Sequence, residues 1–60
     1  MRMTKNNIKK AIRTAIAESK HISLYDTSIF YYMAGYAPEV SAYALCEAIN
    51  EVRNEVRNEA

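Results

Sequence analysis

Residues 38–58, PEVSAYALCEAINEVRNEVRN, decide how this chain is read. Ala42, Leu45, Ile49, Val52 and Val56 recur at spacings of three and four, the narrow apolar seam of a helix packed in a bundle or coiled coil. Pro38 suits the first turn of such a helix, where its missing N–H has no partner in any case, and no breaker follows it. The stretch predicts one long helix, helix 3, over about 38–58. Its charges are sorted by flank. Glu47, Glu51, Glu55 and Glu59 form one column four residues apart, and Arg53 and Arg57 form another on the opposite side of the seam.

Working outward, Ile8, Ala11, Ile12, Ala15 and Ile16 follow the i, i+3, i+4, i+7, i+8 pattern of an amphipathic helix, with Thr4 as its N-cap. Helix 1 is expected over about 5–20. Arg2, Lys9, Arg13 and Lys20 lie together on one flank of its stripe, a basic ridge. Were helices 1 and 3 parallel, that ridge would meet Glu51 and Glu55; were they antiparallel, it would meet Arg53 and Arg57. The charges favour parallel, which is what an up-down-up three-helix arrangement supplies.

Between them lies HISLYDTSIFYYMAGYAP, residues 21–38. Ser23 and Asp26 resemble a capping box, with Asp26 or Thr27 as alternative caps, and Gly35 a left-handed C-terminal stop, which predicts a short helix 2 over about 24–34. Residues 29–34 are apolar or aromatic around the full circumference, a pattern of burial on more than one side. A strand at 22–25 competes, but the aromatic run does not alternate with polar residues. The expected fold is a single all-α three-helix domain over residues 1–60.

Sixty residues make a thin interior. A chain this size buries only about 60% of its unfolded surface. Apolar burial then supplies roughly 90 kcal/mol, against a similar cost of ordering about 1.5 kcal/mol per residue. Small chains usually close that gap with a disulfide, a metal or a partner subunit. Cys46 has no second cysteine and His21 no second imidazole, so neither a bridge nor a structural metal site is expected. A homodimer is the remaining expectation. Helix 3 is longer than its neighbours by about ten residues at 1.5 Å each, which predicts a projecting segment at about 50–60 and a dimer seam of Leu45, Ile49, Val52 and Val56.

The net charge is +1, yet residues 1–20 carry +5 and residues 21–60 carry −4. There is no nucleophile–base spacing, no glycine-rich phosphate loop and no metal-ligand cluster, so neither an enzyme nor a cofactor is expected. The most unusual feature is five tyrosines in nineteen residues, Tyr25, Tyr31, Tyr32, Tyr36 and Tyr43. Such rings read as core and dimer contact, as a surface that recognises another protein, or as a stacking platform for nucleic acid. The partner-binding set is taken as Tyr31, Tyr32, Tyr36, Val40 and Tyr43.

The alternative is a DNA- or RNA-binding regulator with Lys9, Arg13 and Lys20 on phosphates, though this chain compensates its own cations. A helix-turn-helix with Gly35 in the turn fits poorly, because Tyr31 and Ser41 stand where that motif wants a small and an aliphatic residue. Cys46 borders the seam and reads as a packed small hydrophobe. The longest apolar run, residues 29–34, is too short to span a bilayer, and MRMTKNNIKK does not read as a secretory signal, so a cytoplasmic setting is expected. The functional expectation is a small non-enzymatic regulator, adaptor or inhibitor, the last a role that virus-encoded proteins of this size fill, acting on a protein partner as a helical homodimer.

Overall fold

The computed structural model describes residues 3–59. Three helices, α1 (Lys5–Glu18), α2 (Ser28–Tyr36) and α3 (Ala42–Glu59), build a small all-α bundle without strands among the described residues. Ile12, Ile29, Met33, Leu45 and Val52 are fully enclosed, so all three helices feed one core.

α1 begins as its sequence predicts. Thr4 is extended, and its hydroxyl accepts the Asn7 N–H at 3.2 Å, satisfying one orphan donor of the first turn. The helix closes two residues early, because Ser19 turns extended while its N–H still reaches the Ala15 carbonyl at 3.0 Å.

α2 differs more from expectation, beginning at Ser28 rather than near 24. Asp26 does not complete a capping box with Ser23. Its carboxylate accepts the Ser28 N–H at 2.8 Å and the Ser28 hydroxyl, and Ser28 Oγ in turn accepts the Ser23 N–H at 2.8 Å. These local side-chain bonds hold residues 24–27 as a turn. The turn buries Leu24, and the Leu24 carbonyl accepts Arg53 Nε–H at 2.7 Å. The far end of α2 runs through Gly35, which has no positive φ, and stops at Tyr36. The stop belongs to Pro38, whose ring excludes Ala37 from the α region and leaves it at φ −131°, ψ 71°.

Pro38 therefore ends α2 and does not open α3. Residues 38–40 form a turn, with the Val40 N–H on the Ala37 carbonyl at 3.0 Å. Ser41 is the residue that starts α3. Its hydroxyl accepts the Ala44 N–H at 3.2 Å and its carbonyl the Leu45 N–H at 3.0 Å.

α1 and α3 are parallel, the orientation that the charge columns favour. Lys5 Nζ lies 3.0 Å from Glu47 and also pairs with Glu51; Lys9 pairs with Glu55 and lies 3.6 Å from Glu51; Arg13 lies 2.9 Å from Glu55 and 3.1 Å from Glu59. Each step up α1 is matched by a step up α3. Two expectations fail for the same reason. With residues 38–41 outside α3 and Lys5 level with Glu47, α1 runs alongside the last turns of α3, so the segment from 50 onward does not project. Val52 is enclosed, Val56 packs against the core and Glu59 is held by Arg13. The seam assigned to a dimer is likewise internal, with Leu45, Ile49 and Val52 all in the chain's own core. Arg2 and Ala60 lie outside the described residues.

Candidate functional site

The nine residues of α2, SIFYYMAGY, contain no charge, and the helix sorts them by angle. Ile29 and Met33 share one face and are buried; Phe30, beside Ile49 of α3, and Ala34 are half-buried against the core; Tyr31, Gly35, Tyr32 and Tyr36 occupy the rest of the surface. No tyrosine belongs to the core. Tyr31 is 70% exposed, Tyr36 57% and Tyr32 41%, and outside α2 Tyr25 is 64% and Tyr43 79% exposed. The reading of helix 2 as buried on several sides is thus corrected: two aliphatic positions per two turns suffice to seat it, and the phenols face water. Tyr32 and Tyr36, one turn apart, stack with centroids 5.9 Å apart and planes 14° apart, while Tyr31 meets Phe30 edge-on at 5.8 Å.

Between α1 and α2 runs a groove of about 390 Å³, with Met3 and Ala11 among its apolar lining, the stacked Tyr32–Tyr36 pair on one wall and Asn7, Lys10 and Thr14 on the other. Lys10 makes no ion pair among the described residues, unlike Lys5, Lys9 and Arg13 on the far flank of the same helix. Gly35 stands at the exposed edge of this surface. A methyl group on its Cα would meet no atom within 4 Å, and its φ is not one that excludes other residues. A helical glycine costs about 0.5–1 kcal/mol relative to alanine, and nothing in the fold requires this one.

The predicted partner-binding set is divided by the structure. Tyr31, Tyr32 and Tyr36 come together on α2. Val40 is set apart, half-buried in the turn before α3 and packed against the core beside Met3 and Ile8. Tyr43 lies on the outer side of the first turn of α3, opposite its buried stripe. Cys46 is not packed in the seam but exposed, in a shallow groove with Tyr25, Phe30 and Asn50. Sequence reasoning missed Lys10, Asn7 and Thr14 as the wall facing the rings, because which flank of α1 receives α2 is set by packing.

The basic ridge is also redistributed. Lys9 and Arg13 are engaged by carboxylates and Lys20 sits in the turn after α1, away from them. The Glu55 carboxylate holds the Lys9 ammonium and the Arg13 guanidinium above their ordinary ranges, and Glu51 does the same for Lys5. Reciprocally, Lys5 holds Glu51, and Lys9 with Arg13 holds Glu55, below the usual carboxylate range. Asp26 is held low as well, by the hydrogen bonds from Ser28. The described residues contain no cluster of three or more His, Cys, Asp or Glu arranged to hold a metal ion. No described helix is long and apolar enough to cross a membrane. Comparison with protein-family models, curated proteins and solved structures finds no match to this chain.

Proposed function

We propose that this chain is a non-catalytic protein-binding module, a small regulator, adaptor or inhibitor, whose contact surface is the tyrosine face of α2. The observation that carries the reading is that, among the described residues, every large hydrophobic side chain left exposed is a tyrosine, and three of the five share α2. At about 150–250 Å² per ring, Tyr31, Tyr32 and Tyr36 leave on the order of 300 Å² of amphipathic area in one patch, the kind of surface protein interfaces favour. Tyr25 and Tyr43 extend it at two edges. A homodimer through α3 is withdrawn, since those side chains are spent inside the chain. The nucleic-acid alternative loses support because Lys9 and Arg13 are already compensated, and phosphate binding draws on uncompensated cations. The exposed thiol of Cys46 fits a reducing compartment, which supports a cytoplasmic setting.

The test is recovery of partners from the source cells by the wild-type chain and by Tyr31→Ser/Tyr32→Ser/Tyr36→Ser. One protein bound by the first and lost by the second, with the helical circular dichroism of the two chains unchanged, is expected. Recovery of nucleic acid in place of protein, or identical recovery by both chains, would overturn the proposal.

A further inference from the structure

Resting on the protein-binding reading above, we infer that the tyrosine face receives a helix of a foreign protein, one that sets a bulky apolar side chain over Gly35 and a carboxylate against Lys10. Tyr31, Tyr32, Gly35 and Tyr36 form a four-cornered unit of helix surface, two i, i+4 pairs side by side. When helices pack, the hole that receives a side chain is an i, i+3, i+4, i+7 set, and on this face Ser28, Tyr31, Tyr32 and Gly35 form one with Tyr36 at its edge. Glycine at one corner widens it, and the space beyond its Cα is open to 4 Å. The fold gains nothing from that glycine, whereas a partner backbone gains close approach on the face that carries the exposed Tyr31, Tyr32 and Tyr36.

Charge selects the occupant. Lys5, Lys9 and Arg13 are each bound to two glutamates of α3, but Lys10, on the groove wall facing Tyr32 and Tyr36, has no acidic partner among the described residues. The next acid along α1 on that side, Glu18, is eight residues on, about 12 Å away along the axis. A second copy laying its α2 across this one brings no carboxylate on that helix. A foreign helix with an acidic flank, part of a larger surface that also reaches the groove, answers both features.

The experiment pans a displayed library of amphipathic helical peptides with acidic, neutral or basic flanks against the intact chain. Recovered peptides are then titrated against wild type, Gly35→Ala, Lys10→Glu and the triple tyrosine variant. Acid-flanked peptides are expected to dominate. Gly35→Ala is expected to melt higher than wild type yet bind about tenfold more weakly, and Lys10→Glu to lose acidic peptides by a similar factor. A substitution that stabilises the fold while weakening binding has no purely structural explanation. Recovery of no peptide, preference for basic or neutral flanks, or binding unmoved by Gly35→Ala overturns the helix inference. Peptides that bind the triple tyrosine variant as well as wild type overturn the protein-binding reading of this face itself. Sedimentation equilibrium of the same chains covers the remaining occupant: self-association abolished by Gly35→Ala makes a second copy the partner and overturns the foreign one.

Discussion

Ser41 and Pro38 stand three residues apart and divide the work of one turn. Had Pro38 opened α3, Ser41 would be a helix-interior serine and Ser41→Ala would be neutral or slightly stabilising. Because its hydroxyl caps the Ala44 N–H, the substitution is expected to lower stability by about 1 kcal/mol, read as a fall in Tm of several degrees for so small a domain. Gly35→Ala is expected to act in the opposite direction, raising stability by about 0.5–1 kcal/mol, because the added methyl is unobstructed and the backbone is already helical. Thr4 was legible as a cap because nothing nearby competes for the role. Ser41 was not, because the sequence offers two valid helix starts three residues apart, and only the register against α1 selects the second.

At the scale of elements, the charge columns carry the most information. They were readable in the sequence because a four-residue repeat keeps like charges on one flank, and like columns facing each other disfavour one orientation of the helices. The ladder of Lys5, Lys9 and Arg13 against Glu47, Glu51, Glu55 and Glu59 predicts that Glu55→Lys lowers Tm and that adding Lys9→Glu to it restores part of the loss. Two independent losses would speak against the pairing. The pairing also sets a pH dependence. Glu51 and Glu55 are held below their ordinary range in the folded chain, so they contribute stability that is fully present above about pH 4–5 and is lost as pH falls through their lowered values. Lys5 and Lys9 are raised, so their contribution is present below their ordinary range and disappears as pH rises through the raised values. Acid melts followed by circular dichroism should show the loss, and high salt should shrink it, since these side chains are solvent-accessible. Helix α2 was less legible. Tyrosine is both a large apolar body and a polar tip, so an all-round aromatic run is compatible with burial or with water until the neighbouring helices choose Ile29 and Met33 as the inward side.

For the whole molecule, the decisive residue is Val52. As part of a dimer seam, Val52→Asp would release folded monomers. As an enclosed member of the single core, it is expected to unfold the chain, because a carboxylate buried there has no partner. Sedimentation of the wild type at micromolar concentration is expected to give the mass of one chain, and loss of helical signal in Val52→Asp, rather than a halved mass, is the outcome that fits.

The helical class, the cap at Thr4, the aliphatic positions of the core and the parallel setting of α1 on α3 follow from the sequence, because periodicity and charge sign act through neighbours one turn apart. The length of the turn before α3, the covering of its final turns, the exposure of Cys46 and the sorting of tyrosines from aliphatics on α2 were decided only by tertiary packing. Each depends on how the helices are set against one another, in axial register or in rotation about their axes, and a change in either leaves every local pattern intact while changing which side chains the core encloses.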